Sequence, residues 1–190
     1  MAVSLGIIAS SISGHLWEPQ GAYDALATVT PSGSTGTITF AGIPNTYKHL
    51  QLRSMCRGTQ SGAFTNMTLR VGNGSIDSGS NYTYHRLFGD GSTVTADGLA
   101  NQTSGLIGIT GTGAGANTFY TSVIDILDYQ DTNKFKTLRS LDGYDNNGDG
   151  YVFLQSFLWR STSAITTIEI ALGGGQTINS NSQLALYGVK

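Results

Sequence analysis

The sequence predicts an all-β protein: an antiparallel two-sheet β-sandwich of about ten strands in a jelly-roll or other Greek-key order. Three observations predict it. Apolar and polar residues alternate with period two along most of the chain, clusters of Gly, Asn, Asp and Ser interrupt that alternation at short intervals, and no window carries a convincing helical period.

Taken in order, the expected strands cover residues 23–30, 37–41, 48–57, 64–71, 82–88, 106–110, 117–127, 134–141, 151–159, 164–172 and 183–189. Thr37, Ile38, Thr39 and Phe40 make the clearest case, and Ala164 to Ile170 the next, because β-branched side chains suit a pleated, half-buried surface. The segment 122–129 comes nearest to a helix. Its Val123, Ile124, Ile126 and Leu127 suit a central strand equally, and the turn chemistry of 128–133 ends it. Between the strands, segments 31–36, 72–75, 89–92, 111–115, 145–150 and 173–175 hold residues that tolerate positive φ. Nothing reads as a linker, so residues 20–190 are expected to form a single sandwich domain. Residues 1–19 differ: Leu5, Ile7, Ile8, Ile12, Leu16 and Trp17 precede Pro19 in a segment free of charge before Glu18. They are read as an extended arm, and Leu5, Ile7, Ile8, Leu16 and Trp17 as its assembly interface, since apolar side chains left in water forgo ~1.5–3 kcal/mol each.

Composition narrows the function. The 190 residues carry 10 Lys and Arg against 12 Asp and Glu, and the charged share of 12% is about half the ~25% usual in soluble domains. Hydroxyls and amides supply the solubility. Ten scattered cations without a basic run exclude a nucleic-acid footprint. No apolar stretch is long enough for a transmembrane helix, and the first residues lack the cationic region of a secretory signal. The single cysteine, Cys56, continues the alternation of Leu50, Leu52 and Ser54 and reads as a buried thiol.

Catalytic and cofactor constellations lack parts. Asp145, Asn147 and Asp149, followed by Gly150, match the first half of a calcium loop, with oxygen ligands at every second position. Ser156 stands where the closing bidentate Glu belongs, so these three are weak metal candidates, and the expected structure is a hairpin turn. Gly111, Gly113 and Ala116 satisfy a dinucleotide-binding spacing, but no helix follows to meet a pyrophosphate. His15, His49 and His85 form no ligand-spaced pair. With Glu18 and Glu169 the only glutamates, acid/base pairs would have to come from aspartates in turn-like segments; Asp125, inside an apolar strand, reads as an outward-facing or hydrogen-bonded strand residue. No Gly-x-Ser-x-Gly elbow marks a nucleophile. No enzyme activity and no cofactor are expected. Tyr82, Tyr84, Phe88, Tyr151, Phe153, Phe157 and Trp159 suit recognition or, as alternate strand residues, core packing. Segment 46–53 echoes 132–139 in its Thr, Lys, Leu and Arg positions.

The ordered text resembles small all-β virion structural proteins of tailed bacteriophages, particularly those of cyanobacteria and other aquatic bacteria. The residues that carry the resemblance are FAGIPNTYKHLQLR at 40–53, GSNYTYHRLFGDGS at 79–92, IDILDY at 124–129 with TNKFKTLR at 132–139, and LALYG at 184–188. The resemblance implies a non-enzymatic virion component, assembled in the host cytoplasm. A capsid decoration or cement protein fits a compact, hydroxyl-rich body with one apolar attachment arm. Tail or fibre component is the alternative, including a carbohydrate- or receptor-binding module. Partners implied are the major capsid protein or another virion protein and further copies of the chain, a homotrimer by analogy with three-fold shell sites; neither nucleic acid nor membrane is among them.

Overall fold

The computed structural model describes residues 21–190. The expected arm, with Leu5, Ile7, Ile8, Leu16 and Trp17, lies outside the described residues. The described residues form strands β1 (Tyr23–Val29), β2 (Thr37–Ala41), β3 (His49–Cys56), β4 (Phe64–Asn73), β5 (Ser75–Ile76), β6 (Tyr82–Gly89) and β7 (Val94–Gln102). They continue with β8 (Gly105–Thr110), β9 (Tyr120–Ile126), β10 (Lys136–Asp145), β11 (Gly150–Trp159), β12 (Thr167–Ala171) and β13 (Gln183–Val189), with no helix among them.

Two antiparallel sheets result. The larger has eight strands in the order β1-β13-β3-β9-β10-β11-β6-β7; the smaller has β2-β12-β4-β5, with β8 on β4. The chain crosses repeatedly between them, so sequence neighbours such as β3 and β4 belong to opposite sheets. All eleven expected strands are present. Two were not anticipated: the short β5, and β7, an edge strand whose residues are exposed on both faces except at its end. β10 runs four residues further than expected, to Asp145, which makes the β10–β11 hairpin ten paired residues long.

Alternation produces the core. In β10, Lys136, Leu138, Ser140, Asp142 and Tyr144 point inward while Thr137, Arg139, Leu141 and Asp145 point out. Leu50, Leu52, Ile124, Ile126, Leu184 and Leu186 of the large sheet meet Ile38, Met67, Leu69, Ile107, Ile168 and Ile170 of the small one, all buried in one cluster. Each such side chain contributes ~1.5–3 kcal/mol relative to exposure. At one end a second cluster, Tyr120, Tyr144 and Phe153 with Phe64, Phe88 and Tyr151, fills the gap with tilted and stacked rings 5.0–6.3 Å apart. Tyr82 and Trp159 close the other side: the Trp159 indole N–H donates to Asp77 (2.8 Å) and the Tyr82 hydroxyl to the carbonyls of Val71 and Asp77. The aromatic residues of alternate strand positions are thus mainly core.

Candidate functional site

The large sheet has two apolar faces. Its inner face is covered by the small sheet; among the described residues nothing covers its outer face. In β11, Phe153, Phe157 and Trp159 go inward, yet Val152 and Leu154 on the opposite phase are also apolar and exposed. The same holds at Val123 in β9, Leu141 in β10 and Leu87 in β6.

Register joins these residues into one row. Val123 is opposite Leu141, Leu141 opposite Leu154, Leu154 opposite Leu87, and Leu87 opposite Ala96. Directly opposite side chains on one face have Cβ atoms ~4.5–5.5 Å apart, so the row is a continuous apolar ridge over five strands. Leu141 is 61% exposed, Leu154 56% and Leu87 49%. Two residues along the strands lies a second row, Thr121, Gly143, Val152, Gly89 and Val94. Gly143 and Gly89 remove two side chains there. The depression they leave belongs to an open groove of about 700 Å³, floored by Val123, Leu141 and Val152 and edged by the turn residues Asp90, Asp145 and Asp149. Close packing fixes Gly143, because a Cβ on it would stand 2.3 Å from the Tyr151 carbonyl oxygen.

The opposite flank of the ridge is polar. Asp125, Arg139, Ser156, His85 and Gly98 face one another in turn across β9, β10, β11, β6 and β7. Asp125 is half-buried and accepts from Gln51 Nε2 at 2.8 Å, as expected of a hydrogen-bonded strand carboxylate. Nearer the β1 edge, the Arg53 guanidinium lies over the rings of Tyr23 and Tyr187 at 5.0 and 4.7 Å. The outer face therefore carries an acidic end, an apolar ridge and a polar row centred on Arg139, in that order along the strands. Such a face can exclude water from a contact and orient it.

The titratable groups of the interior are bound to structural partners. Asp142, buried between the sheets, accepts from the Tyr120 hydroxyl (2.8 Å), Ser140 Oγ (2.9 Å) and Gln155 Nε2. Burial pushes its carboxyl above the ordinary value, against the hydrogen bonds from Gln155, Tyr120 and Ser140. Beside the aromatic cluster, Arg86 is paired bidentately with Asp97 and lies 5.1–5.8 Å from the Tyr84, Phe88 and Phe153 centroids. Burial pushes the Cys56 thiol up to about 12, which makes it an inert core group. Lys136 Nζ donates to the carbonyls of Asp131, Lys134 and Thr162 and so ties together the loops at one end.

Asp145, Asn147 and Asp149 lie in the β10–β11 turn. Asn147 and Gly148 have φ of 61° and 98°, and Asp145 Oδ1 accepts from the Asn147 N–H at 2.7 Å, so the carboxylate caps its own turn. Among the described residues no three His, Cys, Asp or Glu are grouped to hold a metal ion. The glycine loop after β8 is clamped by Arg57, whose guanidinium donates to the carbonyls of Ala114, Gly115 and Thr118. The echoed segments flank β9 on its two sides, and Lys48 and Lys134 converge on the two carboxylate oxygens of Asp128 at 3.4 and 2.8 Å.

Sequence reasoning missed the outer face. The signal was present: runs such as Tyr-Val-Phe-Leu at 151–154 and Ser-Val-Ile at 122–124 are apolar on both phases, which marks a strand meant to be covered twice. No family model, curated protein or solved structure matches the chain.

Proposed function

We propose that this chain is a non-enzymatic structural protein of a bacteriophage virion, a capsid decoration or cement protein that works as a homo-oligomer on the outer shell. The observation that carries the reading is the uncovered apolar ridge Val123–Leu141–Leu154–Leu87 on an otherwise charge-poor body. Contiguous exposed apolar surface rimmed by polar groups marks a protein association surface. Of the phage-like segments, 79–92 supplies all of β6, with Leu87 of the ridge, and 40–53, 124–129, 132–139 and 184–188 supply parts of β3, β9, β10 and β13 in the same sheet. Attachment to the major capsid protein is assigned to residues 1–19, with Ile7, Ile8, Leu16 and Trp17 as the anchoring side chains.

Gold labelling or reconstruction of the intact particle tests this. An icosahedral distribution is expected; a location at one vertex would make the protein a tail or fibre component, and absence from the particle would end the reading. Deleting residues 1–17 tests the attachment. The truncated protein is expected to fold and to lose binding to depleted particles, and undiminished binding would move the attachment to the body.

A further inference from the structure

We propose that the outer face of the eight-stranded sheet docks a second copy of itself across a two-fold axis, with Leu141 and Leu87 of each copy set over Gly143 and Gly89 of the other. The inference rests on the reading of this face as an association surface and names its occupant. Two features of the face select a second copy.

The first is shape. The ridge (Val123, Leu141, Leu154, Leu87) and the row two residues along (Thr121, Gly143, Val152, Gly89) are adjacent and parallel. A two-fold axis running across the strands, midway between these rows, exchanges them. Leu141 of one copy then stands over Gly143 of the other on the same strand, and Leu87 over Gly89. On these two strands a leucine meets a glycine in both directions at once, as an isologous contact requires, while on β11 Leu154 packs on Val152 and on β9 Val123 on Thr121.

The second is charge. The same axis carries the row of Arg139, Ser156 and His85 onto the far end of the groove, where Asp145, Asp149 and Asp90 form the rim. Arg139 of each copy comes to the Asp145–Asp149 hairpin of the other, and the two copies make this contact twice. A parallel arrangement would set Arg139 against Arg139 and acidic rim against acidic rim. The charges thus favour the orientation that the shape requires.

Size is adequate. Five strands at ~4.8 Å spacing and four rows at ~6.8 Å give a footprint of roughly 500 Å² in projection. That is adequate for a weak pair and below the ~800 Å² per partner of a standard interface. Two-fold pairing makes the unit a dimer, in place of the trimer that analogy with shell sites suggests.

The test uses the full chain in sedimentation equilibrium at micromolar concentration. A dimer is expected. Leu154→Asp, at a position more than half exposed, should keep the circular dichroism of the folded protein and sediment as a monomer. Arg139→Glu and Asp149→Arg should each weaken the dimer ~tenfold or more, and the two together should recover most of it, since the swap restores opposite charges across both contacts. A monomeric or trimeric wild type, a Leu154→Asp dimer, or a charge swap without recovery overturns the inference. Particle labelling separates the two readings: a monomer that decorates the shell removes this pairing alone, whereas a dimer absent from particles removes the virion assignment alone.

Discussion

Leu141 and Leu154 face each other across β10 and β11 on the side of the sheet that no other described residue covers, while Leu138 and Phe157 face each other across the same two strands inside the core. One hairpin therefore presents an apolar pair to each face. The inner pair holds the two sheets together. The outer pair contributes little to the isolated fold and is available for contact with another molecule.

That difference is measurable in stability. Leu138→Ala or Ile124→Ala should cost ~2–5 kcal/mol in denaturant unfolding, because each removes buried methyl groups and leaves a cavity. Leu154→Ser under dissociating conditions should stay within ~0.5 kcal/mol of wild type, as surface substitutions do. Equal losses at the two kinds of position would mean that the outer face is covered within the same chain.

The eleven expected strands were legible because one phase of each is apolar and glycine-rich or Asn-rich turns bound them. β7 was not. Val94, Thr95, Ala96, Asp97, Gly98 and Leu99 alternate on neither phase, and the segment is held by pairing with β6, including the register of Leu87 with Ala96, by the Arg86–Asp97 ion pair and by Arg160 donating to Asn101. An edge strand exposed on both faces has no burial pattern for the sequence to display. The ridge was half legible. Val123 was visible as apolar, but which of two apolar phases faces the partner sheet depends on pairing between strands as distant as β6 and β11, and local sequence does not encode that. Asp142 was illegible for the same reason, since its partner Tyr120 is 22 residues away and meets it only across the β9–β10 ladder.

The Asp142 site gives a pH dependence with a definite sign. Burial raises its folded pKa above the unfolded value, so the native state binds this proton more readily. Its contribution to stability is then fully present below the unfolded carboxylate value of 3.8 and is lost as pH rises through the raised folded value. Asp142→Asn lacks this titration. Relative to that variant, wild type should lose stability as pH rises above the unfolded carboxylate value in parallel denaturation curves, and a difference independent of pH would show that Asp142 is not raised.

Tyr120 makes Gly108 obligatory. A Cβ at Gly108 would stand 2.1 Å from the ring, and the ring cannot retreat while its hydroxyl is held by Asp142. Gly108→Ala should therefore cost ~1–3 kcal/mol or more by overpacking. Thermal melting checks this, and the Ala substitution at Gly173, where a Cβ meets nothing within 4 Å, provides the control.

The β10–β11 turn decides between capping and calcium. Asp145 Oδ1 already accepts from the Asn147 N–H at 2.7 Å and points into its own turn, and the Asn146 side chain accepts from the Gly115 N–H at 2.6 Å, so two oxygens of the loop are committed to backbone donors. A cation would have to compete with both and would still lack the bidentate carboxylate that Ser156 replaces. The melting temperature should be the same in chelator and in millimolar Ca²⁺. Asp145→Ala should lower stability by ~1 kcal/mol in both conditions, through loss of the side-chain cap on the turn. A rise of several degrees with Ca²⁺ that Asp145→Ala abolishes would instead establish linkage to a native-state metal site and restore Asp145, Asn147 and Asp149 as ligands.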